Sequence, residues 1–362
     1  MHEASSSSLL LLLCFLAIIS VVYGQVLRLP TQYTYQPAYG YGLFGQLEVD
    51  HQNLTVAVDT GTSLSFLVWD EWYDDHFHCV DFPVSRYRCP ESCSPSRVSN
   101  FTYSDGYIIH LFPYTVRQIA GSVDEINGPL QFGLVDGYEA PEGLKPSHTI
   151  GLGRRDRRRY PSLMGQLEPV LGSSSFAFYL NKPACGHIDG ELLLAGGDST
   201  LYTPPLTFVP LSFQDVPVVS VAHLKVGNSH ERLIDGFAII DTGAQDMLVP
   251  EPERGHLLKR ILTEIAIRSG AEAGSKYIPT LDLTIFDCFF MRFLPPIEIG
   301  LGDKGEATTT LTSYARKVDG TCFLAIKAAA GDRWTLPAFI MPGTYFEFRP
   351  SEGRLGVAKL RQ

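Results

Sequence analysis

Two short strings with the same three side chains carry the chemistry in this sequence. Asp59-Thr60-Gly61 closes the apolar run Leu54-Thr55-Val56-Ala57-Val58, and Asp241-Thr242-Gly243 closes Phe237-Ala238-Ile239-Ile240. At average residue frequencies one Asp-Thr-Gly is expected in roughly one chain of this length in ten or twenty, and a single copy reads as an ordinary Asx-type turn. Two copies, each ending a β-branched or aliphatic run, read as a duplicated site. In each, the glycine permits close backbone approach and the carboxylate leaves the end of a buried strand. Two carboxylates held close cannot both ionise easily, so they share one proton and an acid and a base coexist. Such a pair can take a proton from water while polarising a carbonyl, which is hydrolysis with no metal, no cofactor and no covalent nucleophile.

The elements that deliver these turns read as β. Apolar stretches at 45–49, 54–58, 107–112, 175–180, 191–194, 218–226 and 345–348 are bounded by Gly, Pro, Asn and Asp. Two helices are expected, over 160–171 and 253–268. In the second, Leu257, Leu258, Ile261, Leu262 and Ile265 recur at helical spacing, the pattern of a core helix.

Composition bounds the class. With 45% hydrophobic and 19% charged residues, 362 residues can bury one large core or two lobes of ordinary size. A net charge of -10 and a pI near 5.5 argue against nucleic acid as a partner. Residues 1–24 read as a signal peptide, with Leu9 to Leu13 and an apolar continuation through Val22, cleaved near Gly24. Membrane attachment follows only if that segment stays uncleaved; otherwise the chain is secreted or lies in the lumen of the secretory or endolysosomal pathway. Without Cys14 six cysteines remain, Cys79, Cys89, Cys93, Cys185, Cys288 and Cys322, and an even set behind a signal peptide implies disulfides. A zinc site in the cluster His76, His78, Cys79, Cys89 and Cys93 is the rival, but its spacings fit no usual finger. Asn53-Leu54-Thr55 and Asn100-Phe101-Thr102 are glycosylation sequons. The basic run Arg154 to Arg159 reads as solvated loop, with proteolytic nicking as the alternative.

In order along the chain, further strings accompany the two turns. They are Phe101-Thr102-Tyr103-Ser104-Asp105-Gly106, Thr149-Ile150-Gly151-Leu152-Gly153, Phe176 to Asn181, Gly190 to Gly197, Leu206 to Leu211, Trp334-Thr335-Leu336 and Gly353 to Ala358. With Asp59-Thr60-Gly61-Thr62-Ser63 and Asp241-Thr242-Gly243-Ala244, this succession resembles the pepsin-like aspartic protease family over nearly the whole mature chain. The resemblance implies an all-β, bilobal fold: two β-rich lobes, a central cleft and a few short helices. The N-terminal lobe would run over 25–205 and the C-terminal lobe over 206–362. It also implies an aspartic endopeptidase, monomeric, with a peptide or protein substrate in the interlobe cleft. Asp59 and Asp241 would be catalytic, and Thr60, Gly61, Thr62, Thr242, Gly243 and Ala244 would support them. Thr62 would donate to the outer oxygen of Asp59, and Tyr103, Ser104, Asp105 and Gly106 would form a flap over the substrate. The same resemblance pairs Cys288 with Cys322. Among the other cysteines, Cys79 with Cys89 or with Cys93 is favoured, leaving one to reach Cys185 or stay free.

Departures from the family pattern are specific. Phe66 stands where many relatives have a Trp bonded to the flap Tyr, leaving Trp69 as the candidate substitute. Ser147-His148 replaces an Asp-Gly pair, and Pro337-Ala338 replaces Gly-Asp. Residues 25–38 are short for a prosegment and hold one basic residue, Arg28, so acid-triggered loss of a long N-terminal segment is not expected. A pepsin-fold binding or inhibitor protein without catalysis is the alternative reading, and loss of one aspartate, its usual mark, is absent here. Ala244 replaces a hydroxyl that would donate to the second carboxylate and stabilise its charged form. Without that donor the pair should hold its proton to higher pH, giving a mildly acidic to near-neutral optimum. Ala244→Thr should move the falling limb of the pH–rate profile towards acid; an unchanged profile would show that this position does not set the range.

Overall fold

The computed structural model describes residues 26–36, 39–77, 85–103, 106–140, 145–155, 160–182, 188–251 and 253–361. The expected signal peptide, Cys79, Cys185, the flap residues Ser104 and Asp105, and 156–159 of the basic run lie outside them. Side-chain alternation explains the strands. In Leu27–Gln36, Leu27, Leu29, Thr31 and Tyr33 are buried while Arg28, Pro30 and Gln32 between them reach outward. The same period shapes Pro217–Val226 at Pro217, Val219 and Val221, and a bulge between Val221 and His223 moves the buried set to Leu224 and Val226.

Among the described residues the strands form sheets of thirteen, eight and four members, and the fold is all-β and bilobal. At one side of the largest sheet the two ends of the chain interleave. There the order is Tyr202–Pro210, Arg354–Leu360, Thr344–Arg349, Phe176–Leu180, Ile188–Leu194 and Leu27–Gln36. The sheet continues through Gly40–Val49, Gln52–Asp59, Thr149–Gly151 and Phe66–Leu67 to Glu125–Glu139, Ile108–Ala120 and the edge strand Ser99–Thr102. Stacking of Phe176 on Phe348 at 4.7 Å fastens the last turns of the chain to its middle.

Each half repeats one local device. Gln52–Asp59 pairs in parallel with Thr149–Gly151, placing Val58 beside Ile150, and Arg232–Ile240 pairs in parallel with Arg333–Leu336, placing Ile240 beside Leu336. Each Asp-Thr-Gly thus leaves a strand clamped by a second strand from far along the chain.

Three α-helices complete the described residues. The first, α1 (Asp70–Phe77), was not expected, because its eight residues are too few and too polar to show a helical period, although Trp72 and Tyr73 are buried. The second, α2 (Leu163–Leu171), starts where the Ser162 hydroxyl accepts the Gly165 amide at 3.2 Å. It ends at left-handed Gly172, φ 78°, so the expected start at 160 was three residues early. The third, α3 (Glu253–Ser269), buries Leu257, Ile261 and Ile265, the stripe its spacing predicts.

Two disulfides are formed among the described residues. Cys288 pairs with Cys322, as the resemblance implied. Cys89 pairs with Cys93, which corrects the favoured pairing of Cys79 with either of them: the turn Cys89-Pro90-Glu91-Ser92-Cys93 brings the two Cα atoms to 6.1 Å, within bridging range. Their loops differ, spanning 34 and 4 residues. Chain entropy then predicts a loss of about 3 to 4 kcal/mol for Cys288→Ala with Cys322→Ala, and about 2 kcal/mol for the Cys89 and Cys93 pair. Denaturant midpoints of the two double variants should fall in that order, and equal midpoints would refute the loop-length account.

Candidate active site

The two Asp-Thr-Gly turns meet at the centre of the molecule. Thr60 and Thr242 are fully buried and grip one another reciprocally. The Thr60 hydroxyl donates to the Ile240 carbonyl at 2.6 Å and accepts the Thr242 amide at 3.0 Å. In mirror fashion the Thr242 hydroxyl donates to the Val58 carbonyl at 2.6 Å and accepts the Thr60 amide at 3.1 Å. Each hydroxyl therefore uses both its donor and its acceptor capacity inside the protein.

This grip presses the carboxylates together. A Cβ added to Gly61 would lie 2.5 Å from Cγ of Asp241, and one added to Gly243 would lie 2.4 Å from Cγ of Asp59. Only a residue without a side chain fits either position, so each glycine seats the opposite carboxylate. Within its own turn, Asp59 Oδ1 accepts the Gly61 amide at 2.7 Å, and Asp241 Oδ1 accepts the amides of Gly243 and Ala244 at 3.0 and 3.1 Å. Below the first turn the 149–153 segment crosses closely: Leu152 N–H donates to the Asp59 carbonyl at 2.8 Å and Gly153 N–H to the Thr62 carbonyl at 2.7 Å. Thr62 is buried, and its hydroxyl oxygen accepts the Leu64 amide at 3.2 Å.

The expected flap is a hairpin made by Ser99–Thr102 and Ile108–Ala120. Its tip closes with Tyr103 donating its amide to the Tyr107 carbonyl at 2.8 Å and Gly106 donating to the Tyr103 carbonyl at 3.0 Å. Gly106 sits at φ 91°, a left-handed conformation that a side chain would strain. Both sequons are on exposed asparagines, Asn53 on Gln52–Asp59 and Asn100 on the edge strand.

One residue near the pair was not singled out from sequence as part of the site. The phenol of Tyr39 is raised well above its ordinary pKa, first by burial and then by the charge of Asp59, with Tyr103, Asp241 and Tyr138 following in that order. It thus stays protonated beside both carboxylates, and its ring packs edge-on to Phe44 at 5.3 Å. Gln245, three residues beyond Thr242, holds the Tyr39 carbonyl through its side-chain amide at 2.6 Å. An aromatic in a Gly-rich strand start gave no signal that separates a site residue from a packing one.

The fold and the paired turns define the class, and comparison with known proteins agrees. The pattern of the eukaryotic aspartyl protease family matches residues 156–360, more than half of the chain and including the second Asp-Thr-Gly, and the chain belongs to that family. It is similar to Napsin-A of Mus musculus, with 28% identity over 322 residues covering 82% of this chain and 70% of that protein. It is also similar to Renin of Echis ocellatus (26%; 53% of this chain, 47% of that one) and Cathepsin D of Canis lupus familiaris (28%; 55% and 47%). The chain thus matches about half the length of those two relatives.

Two departures take physical form. Trp69 does not replace the missing flap partner: it is buried edge-on against Phe112 at 5.5 Å, and its indole N–H has no hydrogen-bond partner among the described residues. Phe66 is likewise a core residue, paired with Thr149 and Gly133. His148, by contrast, is a structural tie. Its carbonyl accepts the Ala57 amide at 2.7 Å, its Nδ1 accepts the Val68 amide at 3.0 Å, and its Nε2 donates to the Ser85 carbonyl. Burial lowers its pKa from 6.5 to about 4, so the folded ring is neutral, and a proton on Nδ1 would set donor against donor at Val68.

Because the unfolded chain takes up this proton first, the stability from a neutral His148 is complete above the unfolded pKa. It is lost as pH falls from there to the folded value, about 3 kcal/mol in all, and then levels off. His148→Gln keeps a donor and an acceptor without titrating. Urea unfolding between about pH 7 and pH 4 should show a shallower fall for this variant than for wild type, and parallel curves would remove His148 as the cause.

Proposed function

We propose that the chain is an aspartic endopeptidase in which Asp59 and Asp241 activate water against a peptide carbonyl. The observation that carries this reading is the reciprocal seating of each carboxylate on the opposite glycine, Asp241 on Gly61 and Asp59 on Gly243. Two carboxylates so placed share a proton as one unit. The ionised member takes a proton from a water while the protonated member gives its own to the carbonyl oxygen. Water oxygen bonds to the carbonyl carbon, forming a tetrahedral diol. Proton transfer to the amide nitrogen then breaks the C–N bond, and acid, amine and the starting pair result. Tyr39 stands beside the pair as a neutral hydroxyl. The flap, with Tyr103 and Gly106 at its tip, covers the substrate and excludes water during the step.

The lobes in this reading divide at 205/206, within the strand Tyr202–Pro210. Two disulfides suit a chain that folds outside the cytosol, secreted or in the lumen of the secretory or endolysosomal pathway, after loss of 1–24. Cleavage of a diverse peptide library by the mature monomer, blocked by a statine-type inhibitor, tests the reading. Asp59→Asn and Asp241→Asn should each fold and lose about 100- to 10,000-fold of the rate. Gly61→Ala, whose new methyl collides with Asp241, should lose activity too. A peptidase that survives either Asn variant would overturn the assignment, and a folded wild type that binds the inhibitor without cleaving would favour the binding-protein alternative.

A further inference from the structure

Behind the turn that carries Asp241, one cation gathers groups from both lobes. The guanidinium of Arg316, on the strand Ala315–Val318, is only 6% exposed and pairs with Asp246 Oδ1 at 3.3 Å. One of its nitrogens donates to the Tyr33 hydroxyl at 2.9 Å and to the carbonyl of Gln245. Its plane lies over the Tyr41 ring, 4.4 Å from the centroid, with Phe339 at 5.8 Å. Asp246 also receives Lys327 through Oδ2 at 2.8 Å.

The connectivity is what matters here. Gln245 and Asp246 follow Gly243-Ala244 directly, whereas Tyr33 and Tyr41 belong to the strands Leu27–Gln36 and Gly40–Val49 at the start of the chain. Gln245 adds a second tie in the same direction through its bond to the Tyr39 carbonyl. An arginine suits the place because its planar fork serves a carboxylate, a carbonyl and a phenol at once while stacking on an aromatic face. A buried ion pair is weak evidence for stability, since desolvation offsets most of its attraction. Its effect is geometric: without the guanidinium, the Gln245 carbonyl and the buried Tyr33 hydroxyl would lose their donor, and the turn would be free to shift.

We propose that Arg316 is a positioning residue that holds the Asp241 turn against the N-terminal lobe, so that its carboxylate stays seated opposite Asp59. The proposal rests on the peptidase reading for its catalytic consequence, not for its structural one. In Arg316→Met, kcat should fall about 10- to 100-fold, the range that misplacement of a reacting group by about 1 Å produces, while KM changes less than about threefold. Arg316→Lys, which keeps the charge and loses the fork, should lie between; it carries the same comparisons if the Met variant does not fold. Arg254→Met is the control, because Arg254 is also a nearly buried cation, bonded to Glu251 at 2.5 Å and Asp282 at 3.2 Å, but at the start of α3. It should lower the melting temperature and leave kcat within about threefold of wild type.

Amide hydrogen exchange at Gly243 and Ala244 gives a readout that needs no turnover. It should speed up about tenfold in Arg316→Met and stay unchanged in Arg254→Met. An inactive wild type whose exchange still responds to Arg316 would defeat the peptidase reading and uphold the positioning role. An active wild type in which folded Arg316 variants keep both kcat and exchange would defeat the positioning role and leave the peptidase reading intact.

Discussion

Everything at the centre of this molecule depends on four hydrogen bonds between Thr60 and Thr242 and the backbones opposite them. Each bond contributes a net of about 1 kcal/mol, but a buried carbonyl or amide left without its partner costs about 1 to 3 kcal/mol. The grip is therefore defended mainly by the penalty for breaking it. It also fixes distance, because two hydroxyls that each donate and accept leave the strand ends little room to slide. The seating of each aspartate on the opposite glycine follows from that closeness. A methyl group at Gly61 or Gly243 would have to occupy the space of a carboxylate.

The sheets explain how such a contact is held from a distance. Parallel pairing of Gln52–Asp59 with Thr149–Gly151, and of Arg232–Ile240 with Arg333–Leu336, sets the fully buried Val58 and Ile240 beside Ile150 and Leu336 just before the turns begin. The interleaved strands then join the late part of the chain to its middle through backbone hydrogen bonds, as where Tyr345 faces Tyr179. The Arg316 cluster adds a contact of another kind, made by side chains between strands that do not pair with one another.

His148 illustrates how a local departure from the family pattern is absorbed. Where the family resemblance implies an Asp-Gly pair, this chain places an imidazole that satisfies an amide on one side and a carbonyl on the other. The neutral ring is a good partner near neutrality and a poor one in acid. Its position one residue before Thr149 puts that sensitivity beside the strand that supports Asp59.

By itself the sequence determined the β-rich class, the ordered succession of family strings, the strand ends that deliver both aspartates, and the helix α3, whose apolar residues recur at a clear period. These are properties of short windows, where a period of two or of 3.6 and a turn residue have local causes. Helix α1 escaped because its two buried aromatics are too few to make a period. The pairing of Cys89 with Cys93 escaped because bridging depends on Cα separation across a turn, which spacing alone leaves open. Trp69 looked able to serve the flap, yet its indole is turned into the core against Phe112, and only packing decides which way a ring points. Tyr39, Gln245 and Arg316 lie far apart along the chain and share no pattern. Their meeting around the paired turns is a consequence of which surfaces the two lobes bring together, and no single stretch of sequence contains it.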